Sequence, residues 1–120
     1  MAVRGIRGAV TAQANDKEAI VSATSRLLTE LVSANRIVTA DIAAVFFTTT
    51  PDLNAEFPAA AARKLGWSSV PLLCGHEMAV PDRLTSCIRV MLLVNTDLGQ
   101  DAVRHIYLDG AATLRPDLVK

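Results

Sequence analysis

A chain of 120 residues, half of them apolar and with twelve basic side chains against twelve acidic ones, has the size and balance of one globular domain. A formal net charge of zero gives no sign of nucleic-acid binding, and no apolar block reaches the length of a membrane span. Nine arginines against three lysines shift attention to anionic small molecules, because the planar guanidinium fork matches carboxylates and phosphates better than an ammonium does.

In chain order, residues 3–10 read as a first strand interrupted by Gly5 and Gly8, where another backbone or a ligand can come close, with Arg4 and Arg7 on opposite faces. Nothing at this end has the form of an export signal. Asn15 followed by Glu18 resembles a capping box. Beyond it Ile20, Ala23, Leu27, Leu28 and Leu31 recur at helical spacing, so an amphipathic helix is expected over 16–34. Residues 43–49 carry the β-branched and aromatic content of a buried strand, ended by Thr50, Pro51 and Asp52. A short alanine-rich helix should begin near Pro58 and run to Leu65, closed by Gly66 in a left-handed cap.

Residues 70–74 then read as a third strand, 75–86 as an exposed loop and 87–95 as the strongest strand of the chain. After a turn at 97–101, residues 104–108 look like a last strand. Without repeats or linkers, this order implies one mixed sheet with helices on a face. So little helix leaves such a sheet underprotected, and oligomerisation is the expected remedy.

The least ordinary residue is Arg89, a charge inside the apolar run of residues 87–94. Alternation sets it beside Cys87, Met91, Leu93 and Asn95 on one face. A charge among apolar neighbours needs a counterpart, either an internal carboxylate such as Glu77, a group across a subunit interface or an anionic ligand. Taken singly, Arg63 on the short helix and Glu77 in a loop read as solvated surface groups, and His105 as a satisfied structural histidine. Cys74 and Cys87 lack the spacing of a zinc or redox site, and isolated reduced thiols fit a cytoplasmic setting. No phosphate loop, paired catalytic carboxylates or nucleophile elbow occurs in the sequence. An arginine-rich chain of this kind suits a reaction in which the protein binds and polarises its substrate.

Seven strings occur in order: RGIRGA at 4–9, TPDL at 50–53, FPAAAAR at 57–63, CGHEM at 74–78, CIRVM at 87–91, QDAVRHIYL at 100–108 and LRPDL at 114–118. Together they resemble the monofunctional trimeric chorismate mutases over residues 4–118. The resemblance implies an α+β fold, a mixed β-sheet packed with one long and one short helix, assembled as a pseudo-barrel homotrimer with clefts between subunits. It also implies conversion of chorismate to prephenate with no metal or cofactor and no nucleic-acid or membrane partner.

By the same resemblance, Arg89 bonds the ether oxygen of the breaking C–O bond and a substrate carboxylate, and Arg7 with Tyr107 holds a carboxylate. Glu77 and the backbone at Cys74 receive the ring hydroxyl. From the neighbouring subunit Phe57 lines the cleft and Arg63 guides a carboxylate, while Leu114 and Arg115 belong to a tail over the ligand. Ala60 and Leu73 depart from relatives that carry lysine and threonine there, which points to altered substrate affinity. Two other readings stay open on the residues: an imine-deaminase type of trimeric enzyme, and a non-catalytic module that binds a carboxylated metabolite.

Overall fold

The alternation of apolar and polar residues along the strands builds a five-stranded mixed sheet, described here in a computed structural model for residues 1–114. In chain order the elements are β1 (Ala2–Thr11), α1 (Lys17–Asn35), β2 (Ile42–Thr49), α2 (Ala59–Lys64), β3 (Leu72–His76), β4 (Cys87–Thr96) and β5 (Ile106–Leu108), with single 3-10 turns at Thr39–Asp41 and Asp109–Thr113. The strand order is β3-β2-β4-β1-β5. The strongest strand of the sequence, β4, is therefore central and antiparallel to both β1 and β2, while the edge strands β3 and β5 run parallel to their neighbours.

The register divides the side chains into two faces. Ile88, Val90, Leu92 and Val94 of β4 lie with Ile6 and Val10 of β1 and with Val45 and Phe47 of β2, and this face packs under Ile20, Leu27, Leu28 and Leu31 of α1. All of these are buried. Gly8 belongs to the same face and lets the helix come close: a methyl group there would lie 2.9 Å from Leu31 Cδ1 and 3.1 Å from Leu27 Cδ1. The other face carries Arg89, Met91 and Leu93 beside Arg7 and Ala9 of β1, Phe46 and Thr48 of β2, Leu73 of β3 and Tyr107 of β5. No α-helix covers it among the described residues; the 3-10 segment Asp109–Thr113 buries only its Ala9 and Cys87 end through Ala111, and the rest leaves Phe46 41% and Leu73 63% exposed.

Local chemistry moves several boundaries from their expected places. Asp16, not Asn15, caps α1, its carboxylate accepting from the Ala19 amide at 2.8 Å. Asn15 instead ties the helix entrance to the loop at Asn54 and Ala55. The third strand begins at Leu72, two residues late, because Pro71 has no N–H to give to a ladder, although its carbonyl accepts from Val45. It also runs on through Gly75 and His76, which the polar composition placed in a loop. The last strand is shorter than expected because the Asn35 side chain takes both main-chain groups of Arg104, its Oδ1 accepting from the amide at 2.7 Å and its Nδ2 donating to the carbonyl at 2.9 Å. Gly66 closes α2 at φ +87°, as its position in the sequence predicts.

Candidate functional site

Strand register, not sequence proximity, assembles the charged groups. Arg89 on β4 stands directly opposite Thr48 on β2 and Ala9 on β1, and Ala9 in turn faces Tyr107 on β5. Arg7 is one pleat further along the same face. A backbone hydrogen bond from the Glu77 amide to the Thr49 carbonyl at 2.9 Å extends the β2–β3 ladder past the end of β3, which brings the Glu77 side chain over this face.

There Arg89 Nε lies 3.0 Å from Glu77 Oε2. The same carboxylate oxygen accepts the Thr48 hydroxyl at 2.8 Å. Arg89 therefore has an internal carboxylate as partner, but it is not the buried charge that its apolar neighbours suggested: its side chain is 44% exposed and that of Glu77 is 19% exposed. The immediate neighbours of Arg89, Ile88 and Val90, point to the buried opposite face, while Met91 and Leu93, on its own face, are only partly buried because that side of the sheet is largely open. Glu77, expected as a surface carboxylate, is in turn largely covered.

Two clefts meet at this pair. One, of about 270 Å³, is lined by Arg7, Phe46, Thr48, Arg89, Tyr107 and Leu114 among others. The other, of about 780 Å³, has Glu77, Arg83 and Leu84 on its walls and shares Thr48, Arg89 and Leu114 with the first. A concave site with two or more guanidinium groups, a carboxylate and a phenol can hold an anion with a hydroxyl group and place fixed positive charge beside it.

The remaining candidates stand apart in the single chain. Cys74 pairs in register with the buried Phe47 and so faces the helix side, and with Phe57, Pro58 and His76 it lines a third cleft of about 350 Å³. Phe57 is exposed there. Arg63 on α2 is exposed too, and its charge acts on Glu56 and Cys74 and not on the Arg89 cluster. Burial pushes the Cys74 thiol above its ordinary pKa, against a weaker pull from Arg63. The Cys87 thiol, buried beneath the Arg89 side, is pushed up to about 11 by burial, with the Arg89 charge opposing. Both shifts favour the neutral thiol over the thiolate. His105 Nδ1 accepts from the Arg7 amide at 2.9 Å, as a structural histidine would. Leu114 lies at the mouth of both clefts, and Arg115 falls outside the described residues.

Sequence reasoning missed Thr48 and Asp52. Thr48 is one threonine in a run of three, and only the strand pairing singles it out. Asp52 holds the residue that leads into β4, its Oδ2 accepting from the Ser86 amide at 2.9 Å and from the Ser86 hydroxyl at 3.2 Å. Burial works against that carboxylate, but the bonds from Thr50 and Ser86 outweigh it and hold the group below its ordinary pKa. Among the described residues no three His, Cys, Asp or Glu side chains gather to hold a metal ion, and no helix is long and apolar enough to cross a membrane.

Comparison with known proteins gives one consistent result. The family model described as chorismate mutase type I matches residues 3–118. A chorismate mutase AroH from Thermus thermophilus is 52% identical over 97% of this chain and 96% of its own length. The corresponding AroH of Bacillus subtilis (strain 168) is 45% identical over 98% of this chain and 94% of its own. A solved chorismate mutase from Clostridium thermocellum superposes with a TM-score of 0.90 at 46% identity, covering 91% of this chain and 97% of that one.

Proposed function

The chain belongs to the type I chorismate mutase family, and from that premise we propose that it converts chorismate to prephenate by holding the substrate in a compact conformation and stabilising charge on its ether oxygen, with Arg89 as the polarising group. The observation that carries this is the position of Arg89 at the junction of two clefts, its Nε ion-paired with Glu77 and its side chain 44% exposed.

The rearrangement is intramolecular and pericyclic, so it needs neither a nucleophile nor a proton transfer; what the protein supplies is geometry and field. Arg7 and Tyr107 hold one substrate carboxylate at one end of the site. Glu77, together with the main chain at Cys74 on the edge strand, receives the ring hydroxyl. As the C–O bond lengthens, negative charge grows on the ether oxygen, and a guanidinium already fixed by Glu77 gains more from that charge than from the neutral ether.

The assembly we propose is a homotrimer with its active sites between subunits, in the cytoplasm. An uncovered sheet face bearing Phe46 and Leu73 supports it, since such a patch favours burial against another chain. So does the separation of Phe57 and Arg63 from the Arg89 cluster within one chain, because a neighbouring subunit would bring those two side chains to the open clefts. Leu114 and Arg115 would then close over the ligand.

The deciding experiment follows the loss of chorismate absorbance with purified protein and no added metal, identifies the product by chromatography, and measures the assembly mass by sedimentation. Prephenate formation and a mass three times that of the chain are expected. Tight binding of chorismate without turnover would favour the non-catalytic module, and turnover of an imino acid in its place would favour the deaminase.

A further inference from the structure

We infer that Thr48 is a positioning residue for this reaction, one that fixes the Glu77 carboxylate and through it the orientation of the Arg89 guanidinium. The inference rests on the roles proposed above for Glu77 and Arg89. Its own basis is a three-residue geometry in which Thr48 and Arg89 are direct cross-strand partners on the open face and meet at one oxygen, Glu77 Oε2, which accepts the Thr48 hydroxyl at 2.8 Å and pairs with the charge of Arg89 at 3.0 Å from Nε.

Three features make the threonine hydroxyl the deciding member. First, Glu77 lies past the end of β3, where its amide still bonds the Thr49 carbonyl but the regular ladder to β2 has ended, so its side chain gains from a second tether. Second, the hydroxyl donates to one carboxylate oxygen and leaves Oε1 without a partner among the described residues, available to accept a substrate hydroxyl. Third, a carboxylate held at Oε2 sets the plane in which Arg89 Nε approaches, and hence where the two Nη groups point. Thr48 also lines both clefts at their junction, so a loss of alignment there is felt at the reacting centre.

Thr48→Val keeps the β-branched shape and the strand preference while removing the donor, and Thr48→Ser keeps the donor while removing the methyl group. A hydrogen bond to a charged group at a site of this kind corresponds to roughly a ten-fold effect or more. The expected result is that Thr48→Val lowers kcat for chorismate about ten-fold or more with KM changed less than about three-fold, that Thr48→Ser recovers most of the loss, and that Thr48→Val costs nothing further when Glu77 is already alanine. Circular dichroism and melting of each variant establish that it is folded.

The inference is overturned if folded Thr48→Val turns over like the parent while Arg89→Ala does not. It is overturned equally if Thr48→Ser is as impaired as Thr48→Val, or if the losses from Thr48→Val and Glu77→Ala add independently. Full activity in both Thr48→Val and Arg89→Ala would remove the proposed role of Arg89 as well, so the two failures are distinguishable.

Discussion

Replacing Arg89 by lysine separates the two tasks that the structure assigns to one guanidinium. Arginine can give Nε to Glu77, 3.0 Å away, and still present two Nη groups to the cleft. A lysine ammonium is a single compact charge on a flexible stem, and the 19%-exposed carboxylate beside it is its strongest partner in the free protein. An Arg89→Lys protein should therefore keep its charge count and its fold yet lose the donor aimed at the ether oxygen. Removal of one such preorganised donor costs about 3–4 kcal/mol of transition-state stabilisation, equivalent to a fall of roughly 10²–10³ in kcat. The loss should appear in kcat, with KM moving far less, because the interaction strengthens only as the bond opens. Initial rates of chorismate loss on variants of verified fold provide the assay, with Arg89→Ala alongside. If Arg89→Lys keeps kcat within about three-fold of the parent, positive charge alone suffices and the argument from the divided guanidinium is wrong.

Three further outcomes follow from packing and ionisation. Gly8→Ala should destabilise by about 1–3 kcal/mol, because the new methyl meets two fully buried leucines and, at 3.2 Å, the Ile106 carbonyl, which cannot rotate away. Urea midpoints at one fixed protein concentration test this, and an unchanged midpoint would show that α1 yields freely. Asp52 is held below its ordinary pKa in the folded chain, so its stabilising contribution is complete above the unfolded value near 4 and disappears as pH falls through the lower folded one. Asp52→Asn should accordingly lose stability at pH 7 and show a shallower decline below about pH 4; parallel curves would contradict the linkage. With its thiol pushed up to about 11, Cys87 should resist iodoacetamide at pH 8 in the native protein and react once unfolded, whereas rapid native modification would place it nearer solvent than its burial indicates.

Most of the scaffold is written in periodicity that a reader of the sequence can follow. The apolar spacing of α1, the unbroken run of β4 and the glycine after α2 each carry one dominant signal, and the folded chain follows all three. Boundaries went astray where a tertiary partner outweighed local preference. Gly75 and His76 look like loop residues, yet β2 offers them a ladder, while Asn35, 69 residues upstream in helix α1, removes Arg104 from the strand it would otherwise begin. The site was legible in residue types and hidden in geometry. That Arg89 required a counterpart followed from its neighbours, and Glu77 was one of three alternatives. Choosing among them required knowing that Thr48 stands opposite Arg89, and a cross-strand register between residues so far apart leaves no mark in either segment alone.

β4 carries two messages on alternate letters, one addressed to the helix beneath it and the other to the open clefts above, and its pairing with β1 runs without interruption from Cys87 to Thr96. Gaining or losing one residue within that stretch would turn the guanidinium toward the leucines of α1 and push isoleucine or valine out into the cleft, spoiling the interior and the chemistry together. Length variation among related chains should therefore collect in the segments at 77–86 and 97–105, and the central strand should tolerate exchange of side chains but not of spacing.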